Sequence, residues 1–142
     1  MITEQQRKII LLSIFIISVF CASSQTISNK NTDGRYIIIE NFAELFTDDG
    51  NQMSNQTIII YNIHENESSK PIHVAVNQLN NVIDFSIKSN SENFENQRKC
   101  SIILKKESYK ETFITALLNM DIKYVVFMGE KLNVDEFYKE IK

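Results

Sequence analysis

The chain has 142 residues, 43% of them hydrophobic, and a formal net charge of −3. That length suits one domain able to bury a core without disulfide staples. Mild acidity with interspersed lysines argues against a nucleic-acid binder, which concentrates its cations on one basic face. Three glycines in the whole chain leave little material for a phosphate cradle, and neither Gly-x-Gly-x-x-Gly nor a P-loop occurs.

Residues 1–24 come first and set the expected compartment. Arg7 and Lys8 form a short basic region, Ile9 to Phe20 is apolar apart from two serines, and Cys21-Ala22-Ser23-Ser24 is a small-residue exit. This is the layout of a secretory signal peptide. A bilayer span wants roughly 20 apolar residues, so the core is short for a permanent anchor. Cleavage after Ser24 leaves Gln25–Lys142 as the exported chain, periplasmic or secreted. Two other outcomes attach the chain to a membrane: a signal anchor through residues 9–22 if the leader stays uncut, or a lipoprotein if Cys21 is acylated. Phe20, bulky where a small residue should precede the lipidated cysteine, disfavours the second. Cleavage after Ser24 also removes Cys21 and leaves Cys100 without an intrachain partner.

Residues 25–34 are polar, lack periodicity and read as a flexible tail before a single domain over 35–142. Tyr36–Glu40, with Ile37-Ile38-Ile39, predicts a first strand. Phe42, Leu45 and Phe46 share a face at helical spacing, which predicts a short helical turn. Thr47-Asp48-Asp49-Gly50-Asn51 reads as a solvated turn, because the alternating ligands and distal glutamate of a calcium loop are missing. Thr57–Ile63 predicts a second strand, buried on both sides in its first half. Residues 64–70 read as an exposed connection.

Residues 72–88 carry two periodicities. Ile72, Val76, Leu79, Ile83 and Ile87 line a helical face. Ile72-Val74-Val76 and Ile83-Phe85-Ile87 alternate as strands, with Gln78-Leu79-Asn80-Asn81 as a turn between them. Strict alternation and β-branching favour the hairpin. Residues 89–97, with Phe94 as their one large apolar residue, read as a mobile loop.

Cys100–Leu104 predicts a strand that turns Cys100 inward, in phase with Ile102 and Leu104. Ser108 and Glu111 match a capping box, and the helix behind them aligns Tyr109, Phe113, Ala116, Leu117 and Met120. Tyr124–Met128 predicts a central strand ended by Gly129. Asn133 and Glu136 form a second capping box for a last helix whose inner face is Val134, Phe137, Tyr138 and Ile141. A strand–helix–strand order over 100–128 implies that the two strands run parallel. The expected fold is an α+β two-layer sandwich with a mixed sheet of five or six strands and two C-terminal helices on one face.

We assign no residue to catalysis, to cofactor binding or to metal ligation. His64, His73, Glu65 and Glu67 offer zinc-compatible atoms, but without a standard ligand spacing. Arg98 and Lys99 beside Cys100 would favour a thiolate, whereas burial would make the thiol inert. There is no Gly-x-Ser-x-Gly elbow. Asn55-Gln56-Thr57 and Asn66-Glu67-Ser68 are glycosylation sequons, relevant only in a eukaryotic source. The sequence thus points to a non-enzymatic binding domain of the cell envelope or secreted fraction. Its partner would be an unidentified macromolecule, not nucleic acid, met by the 64–70 and 89–97 loops. The competing expectation is an exported thiol- or histidine-dependent enzyme or redox protein using Cys100, His64 or His73.

Overall fold

The computed structural model describes residues 34–64, 67–88 and 96–142. They form one mixed sheet of eight strands. In chain order the elements are β1 Arg35–Ile39, α1 Phe42–Leu45, β2 Phe46–Asp48, β3 Gln52–Asn55, β4 Ile58–Tyr61, α2 Lys70–Asn77, β5 Val82–Ile87 and β6 Gln97–Lys105. A 3-10 turn, Lys106–Ser108, leads into α3 Tyr109–Asn119, followed by β7 Ile122–Phe127, β8 Glu130–Asn133 and α4 Val134–Ile141.

The spine is β6, nine residues long, with Arg98, Cys100, Ile102 and Leu104 buried in strict alternation. One edge of β6 pairs with β5 and the other is divided between β3 and β4, all antiparallel. Beyond β4 the sheet continues through β1, β7 and β8. The pairs β4–β1 and β7–β8 are antiparallel and β1–β7 is parallel. Consequently β6 and β7 point the same way, as the strand–helix–strand order implied, but β4 and β1 lie between them.

The helices share one face of the sheet. Phe42 of α1 meets Phe113 of α3 and Phe137 of α4, each at 5.9 Å between ring centroids. Phe46 packs edge-on against Phe113 at 5.3 Å, and Phe127 packs against Phe137 at the same distance. On α2, Ile72 and Val76 join the core beside Phe85. Each fully buried ring of this kind contributes about 1.5–3 kcal/mol over an exposed one.

The expected fold class holds in outline, with two corrections. The first concerns residues 72–77, which form helix α2 and not the first arm of a hairpin. Pro71 sits in its first turn, where a missing N–H costs nothing. The alternation of Ile72, Val74 and Val76 was misleading, for Val74 is exposed and only its neighbours at helical spacing are buried. The second half of that stretch is the strand β5, as expected. The second correction is the strand count, eight where five or six were expected. Strands β2, β3 and β8 carry few apolar residues and exist because a neighbour offers them an edge. The hairpin β2–β3 closes over Asp49-Gly50-Asn51, and β8 folds back on β7 through Met128-Gly129, both at positive φ. That pair of positive φ values matches the twist of a tight hairpin.

Of the two expected capping boxes, one forms. The Asn133 side chain accepts from the Glu136 N–H at 2.8 Å, and Glu136 accepts in return from the Asn133 N–H at 2.9 Å. Ser108 makes no side-chain cap, because the 3-10 turn before α3 changes its geometry. Its carbonyl instead accepts from the Thr112 hydroxyl at 2.7 Å.

Candidate functional site

Strand alternation sends every second side chain away from the helices. Beside the buried Ile37, Ile60 and Val125 stand Tyr36, Tyr61 and Tyr124, which therefore occupy the opposite face. Strand register places them in one row, with Tyr36 opposite both Tyr61 on β4 and Tyr124 on β7. The rings stack face to face, at 4.8 Å for Tyr36–Tyr61 and 5.0 Å for Tyr36–Tyr124, with interplanar angles of 13° and 7°. Those separations match the spacing of neighbouring strands, so the sheet itself sets the stack. Each aromatic pair adds about 0.5–1.5 kcal/mol beyond its buried area. At the β8 end, Lys131 lays its ammonium over the Tyr124 ring, 4.0 Å from the centroid.

A second row runs beside the first. Lys99 pairs with Ile59, Ile38 with Val126, and Val126 with Lys131, while Ile38 and Ile59 follow one step on from the Ile37–Ile60 pair. The row is aliphatic in the middle and lysine at both ends. Ile38 is 37% exposed. Among the described residues no helix packs on this face.

The phenols are poised as donors. Burial, and then the neighbouring Tyr124 and Tyr61, push the Tyr36 hydroxyl above its usual pKa. Tyr124 is only 5% exposed, and among the described residues its hydroxyl has no hydrogen-bond partner. A buried O–H without an acceptor is costly, and few native groups are left so.

The residues singled out from sequence fall elsewhere. Cys100 points into the core at 3% exposure, and burial pushes its thiol up to about 12, so it supplies no thiolate at neutral pH. Its basic neighbours do not reverse this. Lys99 points to the opposite face, and Arg98 donates to the Gln97 and His64 carbonyls at 2.9 and 3.3 Å. His64 and His73 are both exposed. Asn77 Nδ2 lies 3.2 Å from His73 Nε2, on the same helix. Glu67 pairs with Arg35, which also donates to the Met120 carbonyl at 2.7 Å and so ties the 64–70 connection to the end of α3. Glu65 and residues 89–95 lie outside the described residues, as do residues 1–33 with Cys21. Among the described residues no three His, Cys, Asp or Glu side chains gather where they could hold a metal ion. No helix among them is long and apolar enough to cross a membrane.

The first sequon has a structural use instead. Asn55 is 6% exposed, and its Oδ1 accepts from the Ile102 N–H at 2.7 Å and the Ser101 hydroxyl at 3.2 Å. Its amide nitrogen is buried, so the folded chain offers no glycan attachment there. Asn66 of the second sequon lies outside the described residues.

Comparison with family models, with curated proteins and with solved structures gave no match. The functional reading therefore rests on this chain's own geometry. Its most distinctive surface, the tyrosine row, was not among the sequence candidates. A signal for it did exist, since each tyrosine sits directly beside a core aliphatic in a predicted strand. What could not be read was that the three strands are neighbours.

Proposed function

We propose that the chain is a small exported, non-enzymatic binding domain of the cell envelope or secreted fraction, and that it meets its macromolecular partner on the sheet face opposite the described helices. The observation that carries this reading is the paired arrangement of a three-tyrosine row and a half-exposed aliphatic row on one face. Surfaces that combine aromatic edges, aliphatic area and a charged rim are the usual composition of protein interfaces. The leader over 1–24 supports the exported location, and intact mass of the native protein tests it, with a start at Gln25 expected. Cys100 gives the thiol-enzyme alternative little support, since its sulfur is enclosed and protonated.

A photo-cross-linking residue at position 38 tests the face, with position 118 on the helix layer as its counterpart. Both side chains are exposed, Ile38 at 37% and Leu118 at 54%. Capture in the source cell from position 38 and not from 118 is expected. Capture only from 118 would move the binding surface to the helices.

A further inference from the structure

We infer that the occupant of the sheet face opposite the described helices is an acidic protein segment whose aliphatic side chains lie between carboxylates; this rests on the proposal that the face is a docking surface. The first ground is charge. The whole chain is acidic, at −3, yet within the strands this face carries Lys99, Lys105 and Lys131 against Asp84. Lys88, one residue past β5, donates its N–H to the Lys99 carbonyl at 2.9 Å, which stands the two lysines opposite each other. Like charges directly across a strand pair repel, and an anion between them removes the conflict.

The second ground is the order of groups along the row. Lys99 and Lys131 bracket Ile59, Ile38 and Val126 across five adjacent strands, a span of about 19 Å at the usual strand spacing. Aliphatic area between two cations fits a protein segment with aliphatic residues between acidic ones. A sulfated polysaccharide or a phosphate backbone would leave that area unused.

The third ground is the Tyr124 hydroxyl, buried beside Lys131 and without a partner among the described residues. A carboxylate that draws Lys131 off the ring gains the ammonium and brings an acceptor to the phenol. The Tyr36 and Tyr61 phenols continue the same row as further donors.

The test uses the chain as its own cell processes it and three 12-residue peptides of alternating residues: Glu-Leu, Glu-Ser and Lys-Leu. Dextran sulfate and phosphatidylglycerol vesicles serve as non-protein anions. Glu-Leu is expected to bind, with an affinity that falls as salt rises, and Glu-Ser and Lys-Leu at least tenfold more weakly. The double variant K99E/K131E should lower Glu-Leu affinity by at least tenfold while still unfolding in one cooperative thermal transition, since both side chains are exposed. Tyr124→Phe should lower it by about 10- to 100-fold, the usual size of one hydrogen bond to a charged group. K99Q/K131Q provides a second, milder variant if charge reversal disturbs folding. Equal binding of Glu-Ser, tighter binding of dextran sulfate or the vesicles, or indifference to both lysine variants would each overturn the acidic-segment assignment. Cross-linking at position 38 separates the two levels. Capture that persists in K99E/K131E overturns the acidic class while leaving the docking face, whereas no capture from position 38 overturns both.

Discussion

Where β3 hands the edge of β6 over to β4, the Ile102 N–H faces a break in the ladder, and Asn55 Oδ1 fills it at 2.7 Å. Replacing Asn55 by Ala leaves that buried donor without an acceptor. A loss of about 1–3 kcal/mol is expected, measured as a shift of the urea midpoint at constant slope. Cys100 offers a pH-dependent counterpart. Its thiol is held at about 12 by burial, above the ordinary value of 9.0. The unfolded chain therefore loses this proton first as pH rises. The stability that the protonated thiol contributes is complete below about pH 9 and lost progressively towards pH 12. The wild-type urea midpoint should fall more steeply over that range than that of Cys100→Ala, which has no thiol to titrate. At neutral pH the Cys100 thiol of the folded protein should react slowly with an aromatic disulfide reagent.

At the scale of elements, the two helix starts in the C-terminal half make opposite cases from similar residue patterns. Asn133 closes a complete reciprocal box with Glu136, whereas Ser108 follows a 3-10 turn and caps nothing with its side chain. Asn133→Ala should cost about 1 kcal/mol, within the usual range for a lost cap, and Ser108→Ala clearly less. Paired thermal melts of the two variants check the contrast. Helix α2 teaches a related point. Its eight residues satisfy strand alternation and helical spacing at once, and the choice falls to whichever neighbour is present. Strand β5 occupies the outer edge of β6, and α2 crosses over it with Ile72 and Val76 against the core. A strand at 72–76 would have needed another edge and would have left the helix layer short.

For the molecule as a whole, the aromatic cluster of Phe42, Phe46, Phe113 and Phe137 joins α1, β2, α3 and α4 into one core. Phe113 is fully buried at its centre. Phe113→Ala should cost about 3–5 kcal/mol, a large part of the roughly 5–15 kcal/mol that holds a domain folded. A fall in melting temperature of more than about 10 °C, with one cooperative transition retained, is the expected result by circular dichroism. The division of labour between the two faces belongs to this scale as well. One carries the apolar core and the helices, and the other carries tyrosines, half-exposed aliphatics and lysines.

Much of this was legible before any tertiary contact was considered. The strands at 36–39, 58–61, 100–104 and 124–127, the helices α3 and α4, the Asn133–Glu136 box and the inward turn of Cys100 all follow from local periodicity and capping. These are interactions between residues a few positions apart, so the sequence by itself determines them. The strands β2, β3 and β8, the helical choice at 70–77 and the separation of β6 from β7 by two other strands depend on which edges are vacant. So does the tyrosine row, whose members are distant in sequence and meet only because β4, β1 and β7 are neighbours. Sheet order is decided by the packing of the whole core. The surface we propose for binding is a consequence of that order, and for that physical reason only the tertiary structure could place Tyr61, Tyr36 and Tyr124 side by side.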